Sequence, residues 1–387
     1  MVKYNCLNPI SEEGLGQFTG DYEKTESFED AEVVLVRSAA MHDMELSDKL
    51  LAVARAGAGV NNIPLDKCAD KGIVVFNTPG ANANGVKELV IAAMIVASRN
   101  LVAANGWVND NKDDENIGKT MEKAKSKFAG HEIKGKKLGV IGLGAIGVLV
   151  ANAAVHLGMD VYGCDPFLSV HNALNLSRSV TVVETREEIF RNCDYITVHT
   201  PLLDDTREMI NKDTIALMKD GVVLLNFARD LLVCADDVVD ALNSGKVAAY
   251  ATDFPTPKLA NTKGCTAFPH LGASTVESED NCAVMAVNEV MDYVENGNIR
   301  NSVNFPAVDM GVCSTAGRIG VLHKNEPNII STLSSEIGNG GINIEKMINQ
   351  SRGNYAYSLF DIDKASAFDV AEKISAKTGI IKVRVIK

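Results

Sequence analysis

The chain has little that would tie it to a membrane, a nucleic acid or an oxidising compartment. Its 387 residues contain no run of about 18 apolar side chains, so no helix is expected to span a bilayer. Lysine and arginine number 38 against 50 acidic residues, for a formal net charge of -12. Phosphate backbones need a basic face, so nucleic acid is not an expected partner. The one locally basic stretch, residues 118–137, is interrupted by Glu122 and Glu132 and reads as a solvated helix and connector. The eight cysteines form no C-x-x-C pair and no Cys/His cluster with zinc spacing. They read as free thiols in a reducing compartment, and no metal site is expected. The first residues lack a basic segment followed by an apolar one, so a cytoplasmic protein is expected.

What is present is length for two to three domains and a regular alternation of short apolar runs with helical spacing. "AEVVLVRSAA", "GIVVFNT" and "KKLGVIGLG" end in small or polar residues, and the stretches between them repeat apolar positions at three and four. That pattern predicts a parallel α/β sheet. Val86, Leu89, Val90, Ala93, Met94 and Ala97 predict a long, largely buried helix. From Lys136 onward, strand and helix alternate through "MDVYGCD", "DYITVHT", "GVVLLNFA" and "AAYATDF", a complete doubly wound unit. A second long helix follows His270, and "NSVNFPAVDMG" reads as a linker. Residues 315–387 then change to βαββαβ order, a ferredoxin-like module.

"GLGAIG" sets Gly142, Gly144 and Gly147 between a strand and a helix. The first permits a tight turn, the second lets backbone approach a pyrophosphate, and the third allows close helix–strand packing. A helix N-terminus then offers free N–H groups to the anion. Asp165 ends the next strand about twenty residues on, where a ribose-binding acid belongs, and favours NAD over NADP. The competing reading is a structural turn with a surface acid. For chemistry, Arg229 ends the apolar run "GVVLLNFA", at the sheet edge where ligands bind. His270 lies in "PHLGAST", and an imidazole titrating near ~6.5 can take a proton at neutral pH. Without further context these are equally a surface arginine and a turn histidine. His199 is expected to end a strand beside the cofactor; His42, His131, His156 and His171 have no partner signal.

These stretches, with "RAGAGVNNIPLDKCADKGIVVFNTPGANANGVKELV", "HTPLLDDTREMIN" and "NFARDLLV" in order, resemble the D-isomer-specific 2-hydroxyacid dehydrogenases over about residues 30–305. Residues 315–387, through "GRIGVLHKNEPNII", "GGINIE" and "KVRVIK", resemble the ACT module carried by the phosphoglycerate-oxidising branch. The resemblance implies two Rossmann-like domains around a cleft plus the ACT module. The substrate-binding domain is expected at 1–100 and 271–305, the NAD-binding domain at 101–270, a linker at 306–314 and the ACT domain at 315–387.

By the same resemblance, Arg229 holds the substrate carboxylate and His270 is the acid/base. Ala145, Ile146, Thr200, Pro201, Ala228 and Asp253 join the glycines and Asp165 at NAD. Arg37, Ser38, Gly57, Ala58, Gly59, Asn82 and Lys87 are expected at the substrate, with Lys87 assigned from charge alone and a solvated helix residue as its alternative. His323, Asn325 and Asn343 match positions that bind an L-serine effector; the alternative is a module used only for assembly. The implied reaction is NAD-dependent oxidation of 3-phospho-D-glycerate, the first step of L-serine biosynthesis, by a homodimer or homotetramer. Other readings are a different D-2-hydroxyacid dehydrogenase, a hydroxypyruvate reductase, or a non-catalytic NAD-binding regulator.

The last reading has one argument. Relatives carry D-V-F-x-x-E-P, whose Glu partners the histidine, whereas this chain has "DFPTP" from Asp253 to Pro257. Three outcomes are open: Asp253 serves, Asp230 or Glu277 reaches in, or His270 works without a carboxylate. The last two are favoured over the first.

Overall fold

Five short strands build the first sheet: Val2–Cys6 (β1), Tyr22–Lys24 (β2), Val33–Val36 (β3), Ala52–Arg55 (β4) and Val74–Asn77 (β5). Their order is β2-β1-β3-β4-β5, with every pair parallel. Strand β3 is buried throughout, as a parallel sheet covered on both faces requires. One face packs on the helix Val276–Asn296 through Val287, Val290 and Tyr293, and the other on Leu46, Leu50, Ile63 and Cys68. The strand order reverses between β1 and β3, so the carboxyl ends of these two strands open a crevice.

The second sheet has seven strands, all parallel: Lys137–Ile141 (β6), Asp160–Cys164 (β7), Thr181–Val182 (β8), Tyr195–Val198 (β9), Val222–Asn226 (β10), Val247–Thr252 (β11) and Cys265–Ala267 (β12). Their order is β12-β11-β10-β9-β6-β7-β8, a doubly wound sheet whose switch point lies between β6 and β9. Helices Ala83–Arg99 and Ala145–His156 cover one face, while Arg186–Asn192, Lys212–Leu217 and Ala235–Ser244 cover the other. No single helix is long and apolar enough to cross a membrane. Ala83–Arg99 and Leu101–Asp110 pass that test only as a pair bent by 67°. The first of them buries Val86, Val90, Ala93 and Met94 in the core of this sheet.

The third sheet is antiparallel, of Gly317–Lys324 (β13), Ile344–Arg352 (β14), Tyr355–Ile362 (β15) and Ile380–Val385 (β16), in the order β14-β15-β13-β16. Helices Ile329–Asn339 and Phe368–Ser375 complete the βαββαβ order, and Leu333, Ile337, Val370 and Ile374 pack on one sheet face. Leu322, Tyr357 and Leu359 on the other face join the core around helix Val276–Asn296. Four donors of this module cap the carbonyls at that helix's carboxyl end. Arg384 reaches Tyr293 and Val294, Arg318 reaches Asn296, and the Tyr357 hydroxyl reaches Gly297.

The computed structural model describes every residue from Met1 to Lys387. They form two compact units, Met1–Ala81 with Val276–Lys387, and Asn82–Thr275. These divisions fall at 81/82 and 275/276, where the family resemblance implies 100 and 270. The segment that reads as a linker is instead packed. Ser302 bridges Phe76, Asn304 accepts from Val75 N–H and donates to Ile73 O, and Phe305 and Val308 are buried. It covers the outer edge of β5, which would otherwise expose unpaired backbone groups.

Candidate active site

Unit Asn82–Thr275 carries a glycine cradle at its switch point. Gly142 has φ +93°, and a Cβ there would lie 2.7 Å from the carbonyl oxygen of His199. A Cβ on Gly147 would lie 1.9 Å from Gly142 O, so neither glycine tolerates a side chain. Gly144 is different: a Cβ would meet nothing within 4 Å, which leaves open space at the start of helix Ala145–His156. That is room for an anion at a helix N-terminus. Asp165, next after β7, accepts from Leu143 N–H with Oδ2 and from Phe167 N–H with Oδ1, both at 2.8 Å. Each oxygen keeps a lone pair for a ribose hydroxyl. Thr200 and Pro201 follow β9, and Ala228 follows β10, on the same carboxyl edge.

Two buried polar atoms on this edge lack a protein partner, Asp253 Oδ1 and His199 Nδ1. Such atoms cost free energy unless something pairs with them. Asp253 is 1% exposed, and its Oδ2 accepts from Gly272 N–H at 3.1 Å. Burial raises its pKa, opposed by the Gly272 hydrogen bond and by the charges of His270 and Arg229. His199 Nε2 meets Thr197 Oγ1 at 2.9 Å, and burial pushes its imidazole down to about 4, so it stays neutral. The open cradle, the paired carboxylate of Asp165 and the two orphaned atoms fit a dinucleotide with an amide-bearing ring.

Arg229 and His270 are both exposed on this unit. Asn226, buried at the end of β10, accepts from Ala228 N–H at 3.2 Å and donates to Arg229 O at 2.8 Å, which sets the turn that projects the arginine. His270 has φ +49°, a left-handed conformation that costs on the order of 1 kcal/mol for a non-glycine residue. Its N–H donates to Asp253 O at 3.0 Å and to Phe268 O at 3.1 Å. Its ring makes no hydrogen bond; it lies against Phe254, centroids 5.1 Å apart and planes at 57°. Thr256, where the family glutamate was sought, caps the helix Pro257–Ala260 by accepting from Leu259 N–H. Asp253 is thus the carboxyl on which the charge of His270 acts, and the imidazole itself has no carboxylate hydrogen bond. Asp230 begins a short turn and is not paired with His270.

In the other unit, Arg37 and Ser38 follow β3 at the crevice beside β1. Asn8 Oδ1 accepts from the N–H groups of Arg37, Ser38 and Ala39, at 2.9–3.1 Å. The Gly57 N–H is also engaged, donating to Thr78 Oγ1 at 2.7 Å, whereas the Ala58 and Gly59 amides donate to no protein acceptor. Arg55, at the end of β4, was missed in the sequence reading. Its Nε donates to Arg37 O, and a Cβ on Gly57 would fall 2.4 Å from its Nη1. Arg55 and Arg37 therefore share one corner, a proximity that only the three-strand arrangement produces. Back on the unit Asn82–Thr275, Asn82 stands at the start of helix Ala83–Arg99, and Lys87, half-buried on it, lies 3.6 Å from Glu88.

His323 and Asn325 lie together at the end of β13, whereas Asn343 is apart from them: His323 pairs with Ala356 on one edge of β15, while Asn343 O accepts from Asp363 N–H on the opposite edge, seven residues further along and roughly 20 Å away. His323 is 2% exposed. It is bonded to Lys324 O, Ser358 and Asn349, and burial lowers its pKa. Asn325 donates to Gly353 O.

A doubly wound sheet with this cradle, an acid after its second strand and an exposed Arg and His on its carboxyl edge defines a dinucleotide-dependent oxidoreductase. The model of the D-isomer specific 2-hydroxyacid dehydrogenase, NAD binding domain, matches residues 91–272. The D-3-phosphoglycerate dehydrogenase of Haemophilus influenzae is 32% identical over 354 residues, covering 89% of this chain and 83% of that protein. That of Escherichia coli K12 is 31% identical over 384 residues, covering 95% and 89%. The solved NAD+-bound 3-phosphoglycerate dehydrogenase of Entamoeba histolytica superposes with a TM-score of 0.62 at 27% identity, over 78% of this chain and 98% of that one. The chain belongs to the D-isomer-specific 2-hydroxyacid dehydrogenase family, and it is an NAD-dependent oxidoreductase.

Proposed function

We propose that the protein oxidises 3-phospho-D-glycerate to 3-phosphohydroxypyruvate, the reaction that opens L-serine biosynthesis. The observation that carries the chemistry is that exposed Arg229 and His270 follow β10 and β12 on the same carboxyl edge as the glycine cradle, with the His270 N–H bound to the carbonyl of buried Asp253. NAD would be held by the Gly142–Gly147 cradle and Asp165 and would supply the hydride acceptor for C2. Arg229 presents a planar fork of donors that suits the substrate carboxylate and steadies charge on the developing carbonyl oxygen. His270 takes the C2 hydroxyl proton on its imidazole, which no protein hydrogen bond occupies. Phe254 packs against the ring, and Asp253, whose backbone carbonyl holds the His270 N–H, is the acid that stands in for the absent glutamate.

The substrate phosphate is assigned to Arg37, Ser38 and the Gly57–Ala58–Gly59 turn with Arg55; Asn82 and Lys87 are separate substrate-binding candidates on the other unit. Arg37 and Arg55 in one corner, beside two free amides, support a doubly charged group over a neutral one. We read the C-terminal βαββαβ module as an ACT domain, with L-serine as its effector, in a cytoplasmic homodimer or homotetramer. NADH production from a panel of D-2-hydroxy acids tests the reaction. Titration calorimetry with L-serine tests the effector, and absence of heat with no change in rate removes it.

A further inference from the structure

We infer that Glu279 is a built-in counter-ion of Arg37, which the anionic end of the substrate must displace, and that it thereby sets the enzyme's charge selectivity. This rests on the reading of Arg37 as a substrate-binding residue. Arg37 Nη2 lies 2.6 Å from Glu279 Oε1, and the two side chains are 41% and 43% exposed. The pair is therefore reachable by a ligand and is not a buried structural bridge.

Each partner is held in place without the other. Arg37 is fixed through its backbone: its N–H is bound by Asn8 Oδ1 and its carbonyl by Arg55 Nε. Glu279 stands in the first turn of helix Val276–Asn296. That turn is held by Ser11, whose hydroxyl donates to Asp280 at 2.5 Å. It also packs so closely on Gly14 that a Cβ there would lie 2.4 Å from Ala283 Cβ. The ion pair thus spans two supports that exist independently of it.

The charges of Arg55, Arg37 and Glu279 all act on Cys282, so they occupy one neighbourhood. Glu279 already offsets the charge of Arg37 in that corner. A phosphate dianion meets a repelling carboxylate and a guanidinium already engaged. A singly charged acid meets the same carboxylate with less to lose. Exposed pairs couple weakly, so the effect on affinity is expected to be a few-fold and not a thousand-fold.

The test is E279Q, which keeps the shape and an acceptor for Arg37 but removes the charge. For 3-phospho-D-glycerate, KM and the calorimetric Kd should fall roughly two- to fivefold, and for D-glycerate by a smaller factor. A KM that is unchanged or raised, or that falls equally for both acids, overturns the inference. R37A separates the two layers. If it leaves both KM values unchanged, the substrate reading of Arg37 fails; if it raises them while E279Q lowers neither, only the counter-ion role fails. Thermal melting reports whether each variant folds, and E279A repeats the charge removal if E279Q does not.

Discussion

The N–H of His270 donates to the carbonyl oxygen of Asp253 at 3.0 Å, while the Asp253 carboxylate lies buried with one oxygen on Gly272 N–H and the other unpaired. This holds the histidine over a carboxyl without joining their side chains. It also forces His270 into a left-handed backbone that few residues adopt.

H270N separates these two roles. Asparagine tolerates the left-handed conformation, so melting should change little. NADH formation should fall about 10²–10⁴-fold in kcat/KM, the usual contribution of acid–base catalysis. H270V, branched at Cβ, should lower the melting temperature as well. Equal activity in H270N would remove the histidine from the mechanism.

Asp165 should govern the choice of dinucleotide. D165A removes the acceptor for a ribose hydroxyl and the repulsion of a 2′-phosphate. The ratio of kcat/KM for NAD over NADP should drop at least about tenfold. Dinucleotide titrations by intrinsic fluorescence should follow the same order.

The strands and the glycine turn were legible because each rests on local pattern, whereas the roles of Arg229 and His270 rest on the family resemblance. β3, β6 and β10 are continuous apolar runs, and the glycine spacing is fixed by one turn. β4 was not read, because "AVAR" is four residues with two alanines, a composition poor in strand signal. The packed cover over β5 was misread as a linker, since its polar residues serve strand-edge hydrogen bonds that only the assembled sheet reveals. Within "DFPTP", Thr256 caps a helix, a role that its place beside the missing glutamate does not show. Arg37 and Glu279 are 242 residues apart, and no spacing rule links them.

Glu289 makes stability fall with rising pH. It is 8% exposed, Asn301 donates to one oxygen, and the other is buried without a partner. Burial pushes its pKa up to about 7 from an ordinary 4.5. The folded state therefore holds an extra proton between those values, and stability declines as pH rises across that window. E289Q, which cannot ionise, should match the parent below pH 4.5 and exceed it above pH 7 by on the order of 3 kcal/mol. Denaturant melts at pH 4.5 and 8 check this; equal gaps at both would refute it.

Arg318 is fully buried and paired with both oxygens of Asp361, at 2.5 and 2.9 Å, while it also caps Asn296 and Gly311 carbonyls. R318M strands a buried carboxylate and should cost about 3–5 kcal/mol. R318M/D361L should recover much of that loss. A double variant as unstable as R318M would show that the carbonyl caps, and not the ion pair, dominate.

The most direct measurement is kcat/KM for NADH formation with 3-phospho-D-glycerate against D-glycerate, D-lactate and the L-isomer of each acid tested. The account predicts that the phosphorylated D-acid leads by about 10²-fold or more, the discrimination that charge-assisted contacts to a phosphate supply. An unphosphorylated acid used equally well, or no NADH from any of them, would contradict it.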